Sequence, residues 1–288
     1  MLKIIEKTKI WFAISGIIIL IGMVSLATKG LDYGLDFKGG TVIEINMNKS
    51  FDKDQVDEIV KKYAPDYQSN KVNNTSIEIK SANLTNEGIN SMVKEITTTF
   101  KGSAVTNQEN IGASIGKETR NKAFQAVIIA AVAMLIYVGI RFEFKFGVAA
   151  ILSLVHDVLI MLTVYSVFQI PVDSMFIAAI LTVIGYSIND TIVVFDRIRE
   201  NQKYMRKSNV TELADASITQ TMTRSINTVL TVLITLISVY IFVPSLDNFA
   251  KPLLVGIISG CYSSIFIASP FWVIFKNHAA KKKLAISK

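Results

Sequence analysis

A single cysteine, Cys261, stands among the 288 residues, so no disulfide forms within the chain and no multi-cysteine metal site can be built from it. Charge is scarce too: 18% of the residues are Asp, Glu, Lys or Arg, against about 25% in an ordinary soluble domain. The phosphate loop GxxxxGK[ST] is missing, which argues against an intrinsic ATPase of that type and leaves an ion gradient as the energy source for any active process. What fills the chain is apolar, with 51% hydrophobic residues and a mean hydropathy of +0.42. This is the composition of a membrane protein.

Crossing about 30 Å of hydrocarbon takes roughly 20 helical residues. Apolar runs near that length lie at 10–27, 123–140, 146–168, 172–195, 225–243 and 253–275. The predicted fold is therefore a polytopic α-helical membrane protein with six transmembrane helices. The first run follows Lys3, Lys7 and Lys9 but exceeds the apolar core of a signal peptide, about 7–15 residues, and reads as an uncleaved helix. Orientation follows the Lys and Arg flanking the spans. The amino terminus, the turn with Arg141 and Lys145, the loop over 197–223 and the basic tail over 276–288 alternate as the cytoplasmic side, whereas "QIPVD" and "PSLDNFAK" hold one Lys between them. Both termini are expected inside, which places 29–122 outside the cytoplasmic membrane and 123–275 as the bundle of the remaining five spans.

The formal net charge of +7 resides wholly outside 29–122, a segment with 13 basic and 13 acidic residues. The excess sits where it sets topology and meets anionic lipid, so nucleic acid is not the expected partner. Within the outside segment, "GTVIEINM" alternates as a strand, 52–63 and 85–100 carry helical patterns with Thr85 as N-cap, and "YQSNKV" and "SIEIKS", separated by Asn73 and Asn74, are short strands. With a last strand near 103–108, the order β-α-β-β-α-β predicts a small α+β, ferredoxin-like split βαβ domain. "DFKGG", containing Asp36, Gly39 and Gly40, lacks the strand-then-helix context of a phosphate site and reads as a tight turn feeding the first strand. No catalytic constellation, cofactor site or metal site emerges; protein contact is the expected use of this domain.

Ionisable groups within hydrocarbon cost several kcal/mol unless paired or hydrated, so each is a functional candidate. His156 and Asp157 lie in the middle of the third run, pointing about 100° apart on a helix and needing different partners. They are read either as proton handlers or as a structural hydrogen-bond cluster. Asp190, beside Asn189 in "SIND", lies roughly 9 Å inward of Asp196 and Arg197 at the cytoplasmic end. Arg224 enters the fifth run from the same side, and an Asp190–Arg224 pair is expected at that depth, holding the carboxylate ionised in one state and releasing it for protonation in another. Arg224, Asn227, Thr228, Thr231, Thr235 and Ser238 share one helix face, which with Ser187, Asn189 and Thr191 describes a hydrated path. The competing reading, preferred for each Ser and Thr taken singly, is that the hydroxyls satisfy backbone carbonyls or glue helices together. "GIISG" places Gly256 and Gly260 at the spacing of close helix approach, and "TELADASITQT" reads as a short amphipathic connector.

These residues together resemble the SecD/SecF family of bacterial protein-export subunits, on its SecF side. The resemblance rests on "VIGYSINDTIVVFDRIREN" at 183–201, "SITQTMTRSINT" at 217–228, "HD" at 156–157 and "GLDFKGG" at 34–40, and it covers essentially the full chain. It implies relatedness to the RND transporters, use of the proton-motive force to promote preprotein movement and release, and SecD, the SecYEG channel and YajC as partners. It implies that Asp190 and Arg224 hold the intramembrane proton-pathway positions, with H⁺ as coupling ion and Na⁺ as an alternative. The residues by themselves also admit half of an RND-type exporter of small molecules or lipids, or a scaffold whose buried charges only lock helices. Only the resemblance supplies the preprotein as cargo.

Overall fold

The computed structural model describes residues 2–72, 74–243 and 246–286, with side chains as far as residue 279. Asn73, the Pro244–Ser245 part of "PSLDNFAK" and the side chains of the basic tail from residue 280 lie outside the described residues. Six helices are long and apolar enough to cross a membrane. They are α1 (Thr8–Thr28), reached through a 3₁₀ turn at Ile5–Lys7, then α5 (Ala113–Arg141), α6 (Phe144–Phe168), α7 (Ser174–Tyr204), α8 (Val210–Phe242) and a last span made of α9 (Asp247–Ser263) and α10 (Ser269–Ile286).

Three spans exceed their apolar runs: the polar flanks of α7 and α8 contain neither Gly nor Pro, and that of α5 contains no Pro and a single glycine, Gly116, which the helix absorbs. The stretch 113–122, expected to belong to the outside domain, is the first third of α5. At its carboxyl-terminal end α7 continues to Tyr204. The connector "TELADASITQT" is not a separate element but the start of α8, because no Gly or Pro interrupts 210–242. The expected loop over 197–223 shrinks to a few residues between α7 and α8. Proline acts where it does occur. The last span contains a π turn at Ser264–Ala268, just before Pro270, which lacks an N–H and crowds the carbonyl four residues earlier.

The outside domain lies between α1 and α5. A single helical turn, α2 (Leu35–Lys38), leads into β1 (Gly40–Asn46), then α3 (Lys53–Tyr63), β2 (Gln68–Val72), β3 (Ser76–Ser81), α4 (Asn86–Thr99) and β4 (Ala104–Ile111). The sheet order is β2-β3-β1-β4, with every neighbour antiparallel. Each β-α-β half thus leaves room for one strand between its own two, as the predicted split βαβ order requires. Alternation puts Ile43 and Ile45 of β1 and Ile77 and Ile79 of β3 on one face against Val56, Val60, Met92 and Ile96 of the two helices, all fully buried. Asp52 and Thr85 cap α3 and α4. Lys62 and Tyr63 of α3 donate to Glu95 of α4, each at 2.6 Å, and the Lys62 bond above all holds that carboxyl below its ordinary range.

In the bundle, α6, α7 and α9 form the packed centre. Gly256 and Gly260 of α9 lie against α7: a Cβ on Gly256 would sit 2.8 Å from Met161 Sδ and closer still to Val183, and one on Gly260 3.1 Å from Ser187 Cβ. The close-approach motif is therefore used within this chain. Gly256→Ala is expected to destabilise the detergent-solubilised protein by about 1–3 kcal/mol through overpacking, read as a lowered thermal midpoint, and adding Val183→Ala is expected to recover most of the loss.

Candidate functional site

The deepest polar group is Asp157, with no exposed surface. Its four acceptor positions are filled from three elements. Ser259 of α9 donates to Oδ1 at 2.8 Å, Ser187 of α7 and Ser263 of α9 donate to Oδ2 at 2.5 and 2.7 Å, and His156 Nδ1 lies 3.1 Å from Oδ1. His156 Nε2 lies 2.9 Å from Ser15 Oγ of α1. His156 and Asp157 do take different partners, Ser15 for the one and three serines for the other, and they also meet each other. Ser187 and Thr191 follow the helix-gluing reading rather than the hydrated path: both are 1% exposed and face the bundle, Thr191 lying 2.9 Å from Ser264 Oγ. Residues 187 and 191 are one turn apart on the inward stripe of α7, whereas Asn189 points out.

Asp190 takes one hydrogen bond, from Ser225 of α8 at 2.6 Å to Oδ1, and its Oδ2 is buried without a partner among the described residues. The expected Asp190–Arg224 ion pair is not formed: among the described residues no cation lies within 4.0 Å of Asp190. The cause is helical geometry. Ser225 is turned about 100° from Arg224, so placing Ser225 against α7 leaves Arg224 exposed on the outer side of α8. Arg224 instead lines an open crevice of about 570 Å³ together with Asn189, Arg197, Gln220 and Thr221, where the carboxyl-terminal part of α7 meets the start of α8. Asp190 does not line this crevice; it follows Asn189 on α7, with its unpartnered Oδ2 closed off from solvent.

Further up α8 the polar line is exposed throughout: Arg224, Asn227, Thr228, Thr231, Thr235 and Ser238. Thr231 Oγ1 donates to the Thr228 carbonyl at 2.8 Å, and Thr235 and Ser238 bond their own helix in the same way. The individual hydroxyls are thus satisfied locally, while Arg224 and Asn227 are not bonded within the chain among the described residues.

The glycine motif forms a joint between the outside domain and the bundle. Gly39 (φ +83°) and Gly40 (φ +145°) adopt backbone that other residues rarely do, and a Cβ there would meet Ala113 at 2.9 Å and the Ser81 carbonyl at 2.6 Å. Asp36 Oδ2 accepts from the Ser174 N–H at 3.0 Å, at the first turn of α7, whose N-cap is Asp173. Gly34 N–H donates to the Val172 carbonyl at 2.9 Å, and Val172 N–H to the Asp32 carbonyl at 2.7 Å. The reading of Asp36, Gly39 and Gly40 as a turn feeding the first strand holds, and the same turn clamps the end of α7.

Reading the sequence missed the hydroxyls that serve these carboxylates. Ser259 and Ser263 are spaced by four beside Gly256 and Gly260, and Ser15 is, with Ser25, one of two serines facing inward in an apolar run; spacing of small polar residues was the available signal. Also missed was Asp215, 2% exposed, whose Oδ1 accepts from the N–H groups of Ile4 and Ile5 at 2.9 and 3.0 Å and ties the amino-terminal turn to α8.

The two intramembrane aspartates are expected to differ in what amidation does. Asp157→Asn places an NH₂ against serine donors and is expected to cost about 1–3 kcal/mol of stability. Asp190→Asn keeps an acceptor for Ser225 and is expected to shift the thermal midpoint less. Parallel melts of the two variants read the contrast directly.

Comparison with known proteins matches this arrangement closely. The family described as "Protein export membrane protein SecD/SecF, C-terminal" covers residues 91–278, and the SecD/SecF GG motif covers residues 24–50. The chain is 37% identical over 284 residues to protein translocase subunit SecF of Sebaldella termitidis, covering 96% of this chain and 92% of that one. It is also 37% identical to protein translocase subunit SecDF of Bacillus subtilis, covering 97% of this chain but only 39% of the relative's length. The crystal structure of the translocon-associated SecDF from Thermus superposes with a TM-score of 0.82 at 32% identity, covering 96% of this chain and 39% of that one. With six apolar spans, a GG turn joined to α7 and relatives matched almost end to end, the chain is a multi-pass membrane protein that belongs to the SecD/SecF family of protein-export subunits.

Proposed function

We propose that the chain acts as a SecF-type subunit which, with a SecD-type partner, uses the proton-motive force to promote preprotein translocation and release through the Sec channel. The observation that carries this reading is the pairing of a half-satisfied carboxylate, Asp190, with a polar line headed by Arg224 that this chain leaves exposed on α8. Asn227 and the threonines beyond the crevice-lining Arg224 stand on a face of α8 that this chain leaves uncovered, and hydrocarbon solvates polar groups poorly, so α8 calls for a second bundle with polar or acidic groups against it. A SecD-type half supplies such a surface, and relatives named SecDF carry a matching segment as part of a longer chain. SecYEG and YajC are proposed as further partners on the family resemblance alone.

The mechanism follows from what Asp190 and α7 can do. Asp190 Oδ2 is buried and unpartnered, so in the proposed cycle a movement of α7 or α8 admits water to it from the crevice beside Asn189; arrival of the Arg224 guanidinium or of a partner's charge favours the ionised form and its departure the neutral one. Each change alters how α7 and α8 sit against the partner. The single uninterrupted α7 then carries that displacement outward, since Ser174 lies 16 residues from Asp190, roughly 24 Å along the helix, and is held by Asp36 of the outside domain's joint. The outside domain would be the moving part that meets the preprotein, with both chain termini cytoplasmic. No covalent chemistry is required of the chain, and H⁺ is the proposed coupling ion, with Na⁺ as the alternative for the same carboxylate.

Asp190→Asn is expected to insert and to copurify with its partner yet to lose the gradient-dependent part of preprotein export into inverted membrane vesicles; export that stays at the wild-type level and sensitive to a protonophore overturns the role of Asp190. For the joint, Asp36→Ala is expected to uncouple export several-fold without loss of copurification, Asp36→Asn to retain coupling because the amide oxygen still accepts from Ser174, and a disulfide between cysteines at Tyr33 and Val172, a bridged pair, to leave export unchanged. Inactivation by that disulfide shows that the joint must open.

A further inference from the structure

On the side of α7 that carries Arg199 rather than Arg197, the cytoplasmic ends of α5, α6 and α7 enclose an open cleft of about 640 Å³. Its cations are Arg141 at the end of α5 and Arg199, Lys203 and Arg206 near the end of α7. Three carboxylates also line it, but each has its partner already. Glu200 is paired with Arg197 at 2.6 Å, Glu143 lies 3.9 Å from Lys276, and Asp196 is shared between Arg141 and Arg199 at 3.3 and 3.4 Å. The cleft thus holds four cations and three acids, two of the acids being paired with cations outside it, Arg197 and Lys276, and among the described residues neither Lys203 nor Arg206 has a carboxylate within 4.0 Å.

The cleft's rim is apolar in a way that water alone does not explain. Ile140 and Phe144 are each 84% exposed and Tyr204 79% exposed, immediately beside the cations. Below them the outer side of α5 presents Ile129 (67%), Val132 (47%) and Ile136 (57%), a strip for acyl chains running straight down from the cationic mouth. The two guanidiniums of Arg141 and Arg199 are themselves propped over the Phe142 ring at 5.2 and 5.4 Å, which holds them at the level of the membrane surface.

We propose that this cleft binds the headgroup phosphate of an anionic phospholipid, with Lys203, Arg206 and Arg199 meeting the phosphate and the acyl chains lying on Ile140, Ile136 and Val132 of α5. Basic pockets between spans on the cytoplasmic side suit such headgroups, and each Lys or Arg near the surface strengthens the attraction. The site stands on charge and position at the membrane boundary and is independent of the proton role of Asp190.

The test uses the full-length protein in detergent and native mass spectrometry, with phosphatidylglycerol and phosphatidylcholine of equal chain length as probes. Wild type is expected to retain phosphatidylglycerol about tenfold more tightly than phosphatidylcholine, and Arg199→Gln/Lys203→Gln/Arg206→Gln to abolish that preference. A control of equal charge loss in the outside domain, Lys49→Gln/Lys94→Gln/Lys101→Gln, is expected to keep it. Glu143→Gln, which removes a negative charge from the cleft, is expected to tighten phosphatidylglycerol binding, a gain that misfolding cannot mimic. Equal retention of both lipids by wild type, or loss of preference in the control, overturns the proposal. So does displacement of the lipid by millimolar glycerol phosphate, which marks a free-phosphate site, or by polyglutamate, which marks a docking site for an acidic segment of a protein.

Discussion

A carboxylate with no exposed surface, sunk in a bundle that itself sits in hydrocarbon, has to find every acceptor position filled from within the protein. Asp157 meets that demand only if α6, α7 and α9 hold one particular register, because its donors sit on all three. Shift α9 by a single residue and Ser259 and Ser263 both rotate away together. The carboxylate therefore specifies helix register, which dispersion between apolar helices does weakly in a membrane. Its neighbour His156 extends the requirement to α1 through Ser15.

Close approach is the condition for those short bonds. Serine side chains reach a carboxylate on another helix only when the backbones nearly touch, which is what Gly256 and Gly260 allow against Val183 and Ser187. The π turn at Ser264–Ala268 continues the same device: Ser264 Oγ donates to the Gly260 carbonyl at 2.8 Å and reaches the Ser187 carbonyl at 3.2 Å, while Ser269 Oγ bonds the Ser264 carbonyl five residues back, at 3.1 Å. The widened turn frees backbone carbonyls, and hydroxyls take them up. Register set at Asp157 is in this way carried one turn along α7 to Thr191 and Asp190. Asp190 then differs from Asp157 by having one oxygen left over, and that difference separates a structural carboxylate from one free to take a proton.

The sequence made the spans, their number and the βαββαβ order legible because these rest on local patterns: apolar length, period-two alternation in "GTVIEINM", the cap at Thr85. It also isolated Asp190, Asp157 and Arg224, since a charge in an apolar run is visible without any fold. Which of them meet was not legible. Arg224 and Asp190 lie at matching depth, but depth says nothing of azimuth, and the neighbouring Ser225 took the inward place. Of the serines around Asp157, Ser187 stood out only as a polar residue in an apolar run and Ser259 and Ser263 only by their spacing, since a serine in a span is common and only tertiary packing turns it into a donor. The extended lengths of α5, α7 and α8 were missed because apolar run length marks where lipid begins, not where a helix ends.

Two spans are almost unburied in this chain, and their chemistry separates them. The apolar window of α5 is 6% buried and that of α8 11%, against 56% for α6. The exposed residues of α5 include Ile128, Ile129, Val132 and Ile136, which acyl chains solvate at no cost. Exposed positions on α8 include Arg224, Asn227, Thr228 and Thr231, and there lipid is a poor solvent for the first two. Equal exposure thus means opposite things: α5 is finished as it stands, whereas α8 is half of an interior. Asp190 lies on the α7 side of that exposed face, bonded to Ser225 of α8. In the proposed proton role, a site built across two bundles would couple their separation to its occupancy, because moving one bundle moves the charge that the carboxylate sees.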